Sequence, residues 1–421
     1  MRLFLCSLLL LLTLLFPLAP LVQSATSAPT TNTEVEKYLI NGQFKQGETE
    51  LLAKLQKNPN DDNTRFGLGV IQLMGGTERL MQSLYRYGLK QNYVTQFFPI
   101  LRLPIPANPK PQPITYEESR GILQNLVDDL GKVRNTLEPI KDSKVKVPLR
   151  LGLTRMDFNA NGKLEADESF WKTFNLLTGG GGGTPATEKA AQNFAIAFDA
   201  GDVIWLKGYS NLLAAITQVV LAHDESKLFA SVGHLIFTQP KTPYQFLVNG
   251  TGPFTFGSDV DIADLISFIH LINFPVVEPQ RMTTALQHMQ AVTSLSRESW
   301  KLISAETDND REWLPNPKQK GVIPGAVVTQ PMIDGWLSFL TEADTLLTGK
   351  KLIPFWRKRE LRGINLNKVF TKPTQFDLVL WIQGTGAAPY LEVGRQTDAT
   401  VWQRLVQVFR GQLFQFGAWF N

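Results

Sequence analysis

Apolar residues recur along this chain at intervals of three and four, the spacing that puts them on one face of a helix. Before Pro59, Phe44, Leu51, Leu52 and Leu55 form one such face. Asn60 or Asp61 can then cap a second helix carrying Phe66, Leu68, Val70 and Leu73. Residues 116–140 predict a strong helix, with Ile122, Leu126, Leu130 and Val133 in phase and Glu117 and Glu118 at its positive end. A long helical pattern covers 186–222 and is broken or joined at the FDAGD segment, 198–202. Asp259 and Asp261 can cap a further helix running to Asn273, and 280–306 and 330–348 repeat the theme. Strand-like pieces are few: 243–248, and 376–382 with β-branched and aromatic residues. The expected fold is mainly α and multi-helical, with few short strands.

Breaks in the pattern divide the chain. Residues 101–115 hold five prolines, which exclude a regular helix or a central strand and mark the best domain boundary. Five glycines at 179–183 read as a flexible connector, because no Lys-Ser/Thr follows to make a phosphate loop. The expectation is a small helical-repeat-like unit over 33–100, a Pro-rich linker over 101–115 and a larger helical domain over 116–421.

The first residues read differently. Arg2 precedes an apolar run from Leu3 to about Leu15, followed by Pro17, Pro20 and small residues, the pattern of a secretory signal peptide. Val22 and Ser24 suit cleavage after Ser24, which makes 1–24 the signal and 25–32 an unstructured linker. An uncleaved anchor is the alternative, since the run extended to Val22 approaches the roughly 20 residues that span a bilayer. Cys6, the only cysteine, lies in this signal, so the mature chain would hold together by its core alone. That suits a bacterial periplasm or cell envelope better than an animal extracellular fluid. The sequon Asn249-Gly250-Thr251 means little in such a host. Without Arg2 the charge is +3, from 41 basic and 38 acidic residues, which predicts no general attraction to nucleic acid.

Two short stretches resemble known families. Gly42, Phe44, Gly47, Leu51, Leu55 and Pro59 fall near the packing positions of a tetratricopeptide-type unit; this resemblance covers residues 42–76 and has no second copy. The segment DFNANGKLEADE, 157–168, resembles the EF-hand loop at every restricted position. The resemblance implies a Ca²⁺ site with Asp157, Asn159, Asn161, the Lys163 carbonyl, Glu165 and Glu168 as oxygen ligands. Gly162 would make the sharp turn and Leu164 would point to the core. It also implies affinity in the weak extracellular class, roughly 10⁻⁴ to 10⁻³ M, because only three carboxylates reach ligand positions and no partner loop is evident. Leu149, Leu153 and Met156 suit an entering helix, while Val145, Val147, Leu149, Leu151 and Leu153 alternate as a strand would. Both readings of the approach stand. Phe170, Trp171, Phe174 and Leu177 make an apolar face for an exiting helix.

Catalytic patterns are sparse. His223, His234, His270 and His288 show no metal spacing, and neither a cysteine nucleophile nor a Gly-x-Ser-x-Gly elbow occurs. His223 sits near a predicted helix end and His270 in a core or interface pattern. Asp199 with Asp202 is the carboxylate pair best placed for a hydrolase. Residues 350–362 mix six cations with Phe355 and Trp356. They read first as a solvated turn with inward aromatics, and second as a contact for anionic lipid, glycan or nucleic acid. Two functions are therefore expected to compete: an exported, non-enzymatic, calcium-binding protein that holds an envelope protein or glycan, and an envelope hydrolase with structural calcium. A deep cleft near Asp199, Asp202 and His223 would favour the hydrolase.

Overall fold

The computed structural model describes residues 33–409 except 93, 96–100, 102, 104, 166, 173–186, 251–254, 257–259, 323–326 and 358, together with 413, 416 and 417. The expected signal peptide, its linker and the glycine connector lie outside the described residues. In chain order the elements begin with helices α1 (Thr33–Ile40), α2 (Phe44–Lys57), α3 (Asp62–Arg86) and α4 (Tyr116–Leu137). Strand β1 (Lys146–Leu149), helix α5 (Glu188–Asn193), strand β2 (Ile196–Asp199) and helices α6 (Ala200–Leu221), α7 (Ser226–Val232) and α8 (Gln245–Asn249) follow. Next come β3 (Thr255–Phe256), β4 (Val260–Asp261), α9 (Ile262–Leu271), β5 (Asn273–Phe274), α10 (Pro279–Ala305) and α11 (Gln330–Leu347). The described chain ends with β6 (Ile353–Pro354), β7 (Gly363–Ile364), α12 (Leu366–Thr371), β8 (Phe376–Asp377), α13 (Leu378–Gln383), β9 (Leu391–Glu392) and α14 (Ala399–Val408). The protein is mainly α, and its strands pair in twos and one three.

Local chemistry accounts for the helix starts. Asp61 accepts from Thr64 N at 2.9 Å, and Thr115 and Glu118 close a reciprocal capping box on α4. The long helices then pack in a row: α3 on α4, α4 on α6, α6 on α10, α10 on α11 and α11 on α14. Gly67 and Gly69 each cost about 1 kcal/mol of helix propensity in α3. In return they permit close approach: a Cβ at Gly67 would stand 2.5 Å from Val35, and one at Gly69 2.6 Å from Leu137. Arg120 of α4 donates to the Leu221 and His223 carbonyls at 2.6 and 2.7 Å, satisfying carbonyls that the end of α6 leaves unpaired.

One apolar cluster runs from Val35 and Leu51 through Phe66, Leu137 and Val147 to Phe198 and Phe237, and it includes Ile105 and Ile114 of the Pro-rich segment. A second gathers Trp300, Ile333, Trp336, Leu340 and Phe409. Trp205 and Trp313 touch both. Helix α6 is long and apolar enough to cross a membrane by composition, but more than half of that stretch is buried, as befits the helix flanked by α4 and α10.

One open expectation is settled and two change. The 186–222 pattern is broken, because 196–199 pairs with β1 as strand β2 and Asp199 then caps α6. Residues 245–249 form α8, where a strand was expected over 243–248. Only Phe376 and Asp377 of 376–382 are a strand. Asp377 then accepts from Leu380 N at 2.8 Å and starts α13, so a polar cap overrides β propensity.

Candidate metal centre

The loop 157–168 leaves and returns to the core on paired extended stems. Strand β1 and a 3₁₀ turn, Leu151–Leu153, lead into it, so the approach is extended and not helical. Arg155 bridges Ser169, with Met156 N on the Glu168 carbonyl at 2.9 Å and Phe170 N on the Thr154 carbonyl at 2.8 Å. The stems thus pair with each other. Helical structure resumes at Phe170 and is described to Lys172; the rest of the expected exiting helix lies outside the described residues.

Within the loop the sequence-predicted oxygens fold back on its own backbone. Asp157 accepts from Asn161 N at 3.1 Å and Gly162 N at 2.8 Å, and Asn159 Oδ1 from Asn161 N at 2.9 Å. Asn161 Oδ1 accepts from Lys163 N at 2.7 Å. Glu168, buried, takes Phe158 N on one oxygen and Glu165 N on the other, both at 2.9 Å. Glu165 is more exposed and holds the Asn159 and Asn161 side-chain amides at 3.2 and 3.0 Å. Gly162 has φ +75°, the left-handed turn that the position requires. Leu164 packs beside Gly42 in the α1–α2 turn, within 2.9 Å of where a Cβ would stand.

Two residues of α3 complete the surroundings, and local sequence pattern carried no sign of either. Glu78 accepts from Asp157 N at 2.8 Å, and Gln82 Nε2 donates to the Asp157 carbonyl at 2.8 Å. Burial, then the Asp157 and Glu168 charges, push the Glu78 carboxyl up to about 7. Burial, then Asp157, also raises Glu168. Among the described ion pairs none involves Asp157, Glu165, Glu168 or Glu78, and nearby Arg79 is spent on Asp129. The donors are all oxygen, the set that hard cations take. Each carboxylate oxygen has two lone pairs, so one N–H bond leaves room for an ion.

The other expected groups separate. Asp199 and Asp202 cap the N-terminus of α6, while His223 follows its C-terminus. At 1.5 Å per residue, 22 residues put about 30 Å between them, so they cannot share a catalytic cleft. His223 is buried against the Val219 carbonyl at 2.7 Å, and desolvation lowers its pKa. His270 is exposed, so its apolar neighbourhood in sequence does not place it in the core. Asp199, Glu306 and Glu312 bring oxygens within 4.8 Å of one another, tighter than the loop acids are collected. Burial and Asp199 drive Glu306 up to about 8, and Asp202 rises well above its usual range by burial and Asp199. These acids accommodate one another by holding protons. A surface depression of ≈ 470 Å³ lies elsewhere, lined by Glu48, Leu52, Gln72 and Lys132 among others.

No family model matches the chain, and no curated protein or solved structure is detectably similar to it.

Proposed function

We propose that the chain is an exported calcium-binding helical protein of the bacterial cell envelope or periplasm, a binding or scaffold protein whose ion is structural. The observation that supports this reading is the uncompensated charge at the loop. Asp157 and Glu168 meet Glu78 with no basic side chain paired to them among the described residues, and burial and then the neighbouring charges push Glu78 and Glu168 toward protonation. A divalent cation held by Asp157, Asn159, Asn161, the Lys163 carbonyl, Glu165 and Glu168 would offset that repulsion. It would also staple the stems of the loop to α3 through Glu78 and Gln82. The separation of His223 from Asp199 and Asp202 favours the binding role over the hydrolase. The recognised partner would be an envelope protein or glycan, and nucleic acid suits neither the balanced charge nor export.

The test is thermal melting of the mature chain with calcium, with magnesium or with chelator. At an ion concentration about 100 times the dissociation constant, linkage adds about 2.7 kcal/mol. Calcium should therefore raise the midpoint clearly, and magnesium little, because magnesium resists the larger shell that a bidentate carboxylate enforces. Glu168→Gln should abolish the calcium shift. Equal midpoints in all three conditions, or an undiminished shift in Glu168→Gln, would reduce the loop to a polar turn.

A further inference from the structure

Helix α3 carries two buried polar atoms, Gln72 Oε1 and Arg65 Nε, that have no hydrogen-bond partner. Gln72 is almost wholly enclosed, 5 % accessible. Its Nε2 donates to Glu48 at 3.0 Å, and because a carboxylate only accepts, this contact fixes Oε1 as the atom left over. Arg65 gives Nη2 to the Pro59 carbonyl at 2.7 Å, while its Nε stands 4.0 Å from Asp62, beyond hydrogen-bond reach. An unpaired buried donor or acceptor costs free energy, and a ligand that pairs it recovers that cost.

Both residues line the depression of ≈ 470 Å³, which lies between α2, α3 and α4. Helix α3 is its floor: Arg65, Leu68 and Gln72 fall at i, i+3 and i+7 and so share one face. Helix α2 supplies one wall with Leu52 and Leu55, and α4 the other with Asn135. Both walls run antiparallel to α3, since Phe44 meets Gly75 and Glu48 meets Gln72, while Asp129 meets Arg79 and Leu137 meets Gly69. Glu48 of α2 takes Lys132 of α4 at 2.6 Å, which joins the walls near Gln72 and cancels a charge. Gln56 and Asn135, exposed on the two walls, have no hydrogen bond among the described residues.

The volume falls in the range of ligand sites, about 300–1,000 Å³. From Arg65 to Gln72 the helix rises about 10 Å, at about 1.5 Å per residue. Three residues of extended peptide, at about 3.3 Å each, have that same length. Peptide backbone presents the two complements required, an N–H for Gln72 Oε1 and a carbonyl for Arg65 Nε. Leu52, 43 % accessible, with buried Leu55 and Leu68 below it, offers an apolar strip to an aliphatic side chain. No aromatic ring is in the lining, so a sugar has nothing to stack on. We propose that this groove holds an extended segment of a partner polypeptide, its backbone on Gln72 and Arg65 and an aliphatic side chain on the leucines. The inference rests on the binding role proposed above and narrows its partner to protein.

The test is fluorescence anisotropy of the mature full-length protein with a labelled, capped peptide of alternating Leu and Ser. A labelled all-Ser peptide and a labelled N-acetylglucosamine trimer serve as comparisons. The parent should bind the Leu-Ser peptide at least tenfold tighter than either. Gln72→Met keeps the length of the side chain and removes the acceptor, which should weaken binding about fivefold, the worth of one net hydrogen bond. Leu52→Asp, at an exposed position, should weaken it at least tenfold with the melting temperature unchanged. Equal binding of the Leu-Ser and all-Ser peptides by the parent overturns the proposal without any variant, and tighter binding of the trimer reassigns the groove to glycan. Undiminished affinity in either variant also overturns it; should Gln72→Met not fold, Leu52→Asp decides alone. Peptide binding without a calcium-induced melting shift would keep the groove and reject the ion, and the shift without peptide binding would reject the groove alone.

Discussion

Glu78 and Glu168 are carboxylates held beside a third, Asp157, and burial and then that neighbouring charge push both upward. Glu78→Gln keeps an oxygen to accept Asp157 N and removes one charge. Without an ion, that substitution should raise the melting temperature, because it relieves repulsion in a desolvated place. With calcium the same substitution should shrink the ion-induced shift, because the ion then has less charge to offset. Melting curves of Glu78→Gln with calcium and with chelator measure both effects. A lower midpoint in both would make Glu78 a purely structural hydrogen-bond acceptor.

Elements show the same physics on a larger scale at the start of α6. Helix N-termini favour negative charge, and Asp199 serves as the cap, accepting from Gly201 N at 2.8 Å. Asp202, Glu306 and Glu312 then exceed what the helix dipole can hold. Burial, and then the neighbouring Asp199 charge, drive the Glu306 carboxyl up to about 8, so it keeps a proton that Asp199 can accept. An unfolded glutamate ionises near 4.3, so this proton contributes stability that is full below that pH and lost as pH rises through 8. Buried neutral histidines act oppositely, but their contribution is complete above about 6.5. Between pH 6.5 and 8.5 the melting temperature should therefore fall, by a few degrees. Glu306→Gln should flatten that slope, and a parent slope matched by Glu306→Gln would reject the shared proton.

For the whole molecule, the two large apolar clusters meet at Trp205 and Trp313, whose rings lie 5.7 Å apart edge to face. Trp205 stacks on Tyr209 as well, at 5.3 Å, and Ser299 of α10 donates to the Gly201 carbonyl of α6 at 3.0 Å. Such sharing predicts that the clusters unfold together. In urea, near-ultraviolet circular dichroism and tryptophan fluorescence should trace one transition for the parent. Trp205→Ala should cost about 3 kcal/mol, the range for emptying an aromatic site. Two separated transitions in the parent would show that the clusters are independent.

Much of the helical skeleton was legible along the chain, because its causes are local. The face of Ile122, Leu130 and Val133, the caps at Asp61 and Asp261, and the breaks at Pro59 and 101–115 act within a turn or two. Gly162 likewise announced its left-handed turn. Other features depended on partners far away. Whether 146–149 became helix or strand was decided by its pairing with 196–199, since both patterns were present in its own residues. The start of α13 turned on one side-chain cap outweighing a run of strand formers. Glu78 reaches Asp157 across 79 positions, and Asp199 meets Glu306 across more than a hundred. Spacing encodes which face of an element is apolar, but burial, charge neighbours and hydrogen-bond partners arise only when distant elements pack, and there the tertiary structure decides.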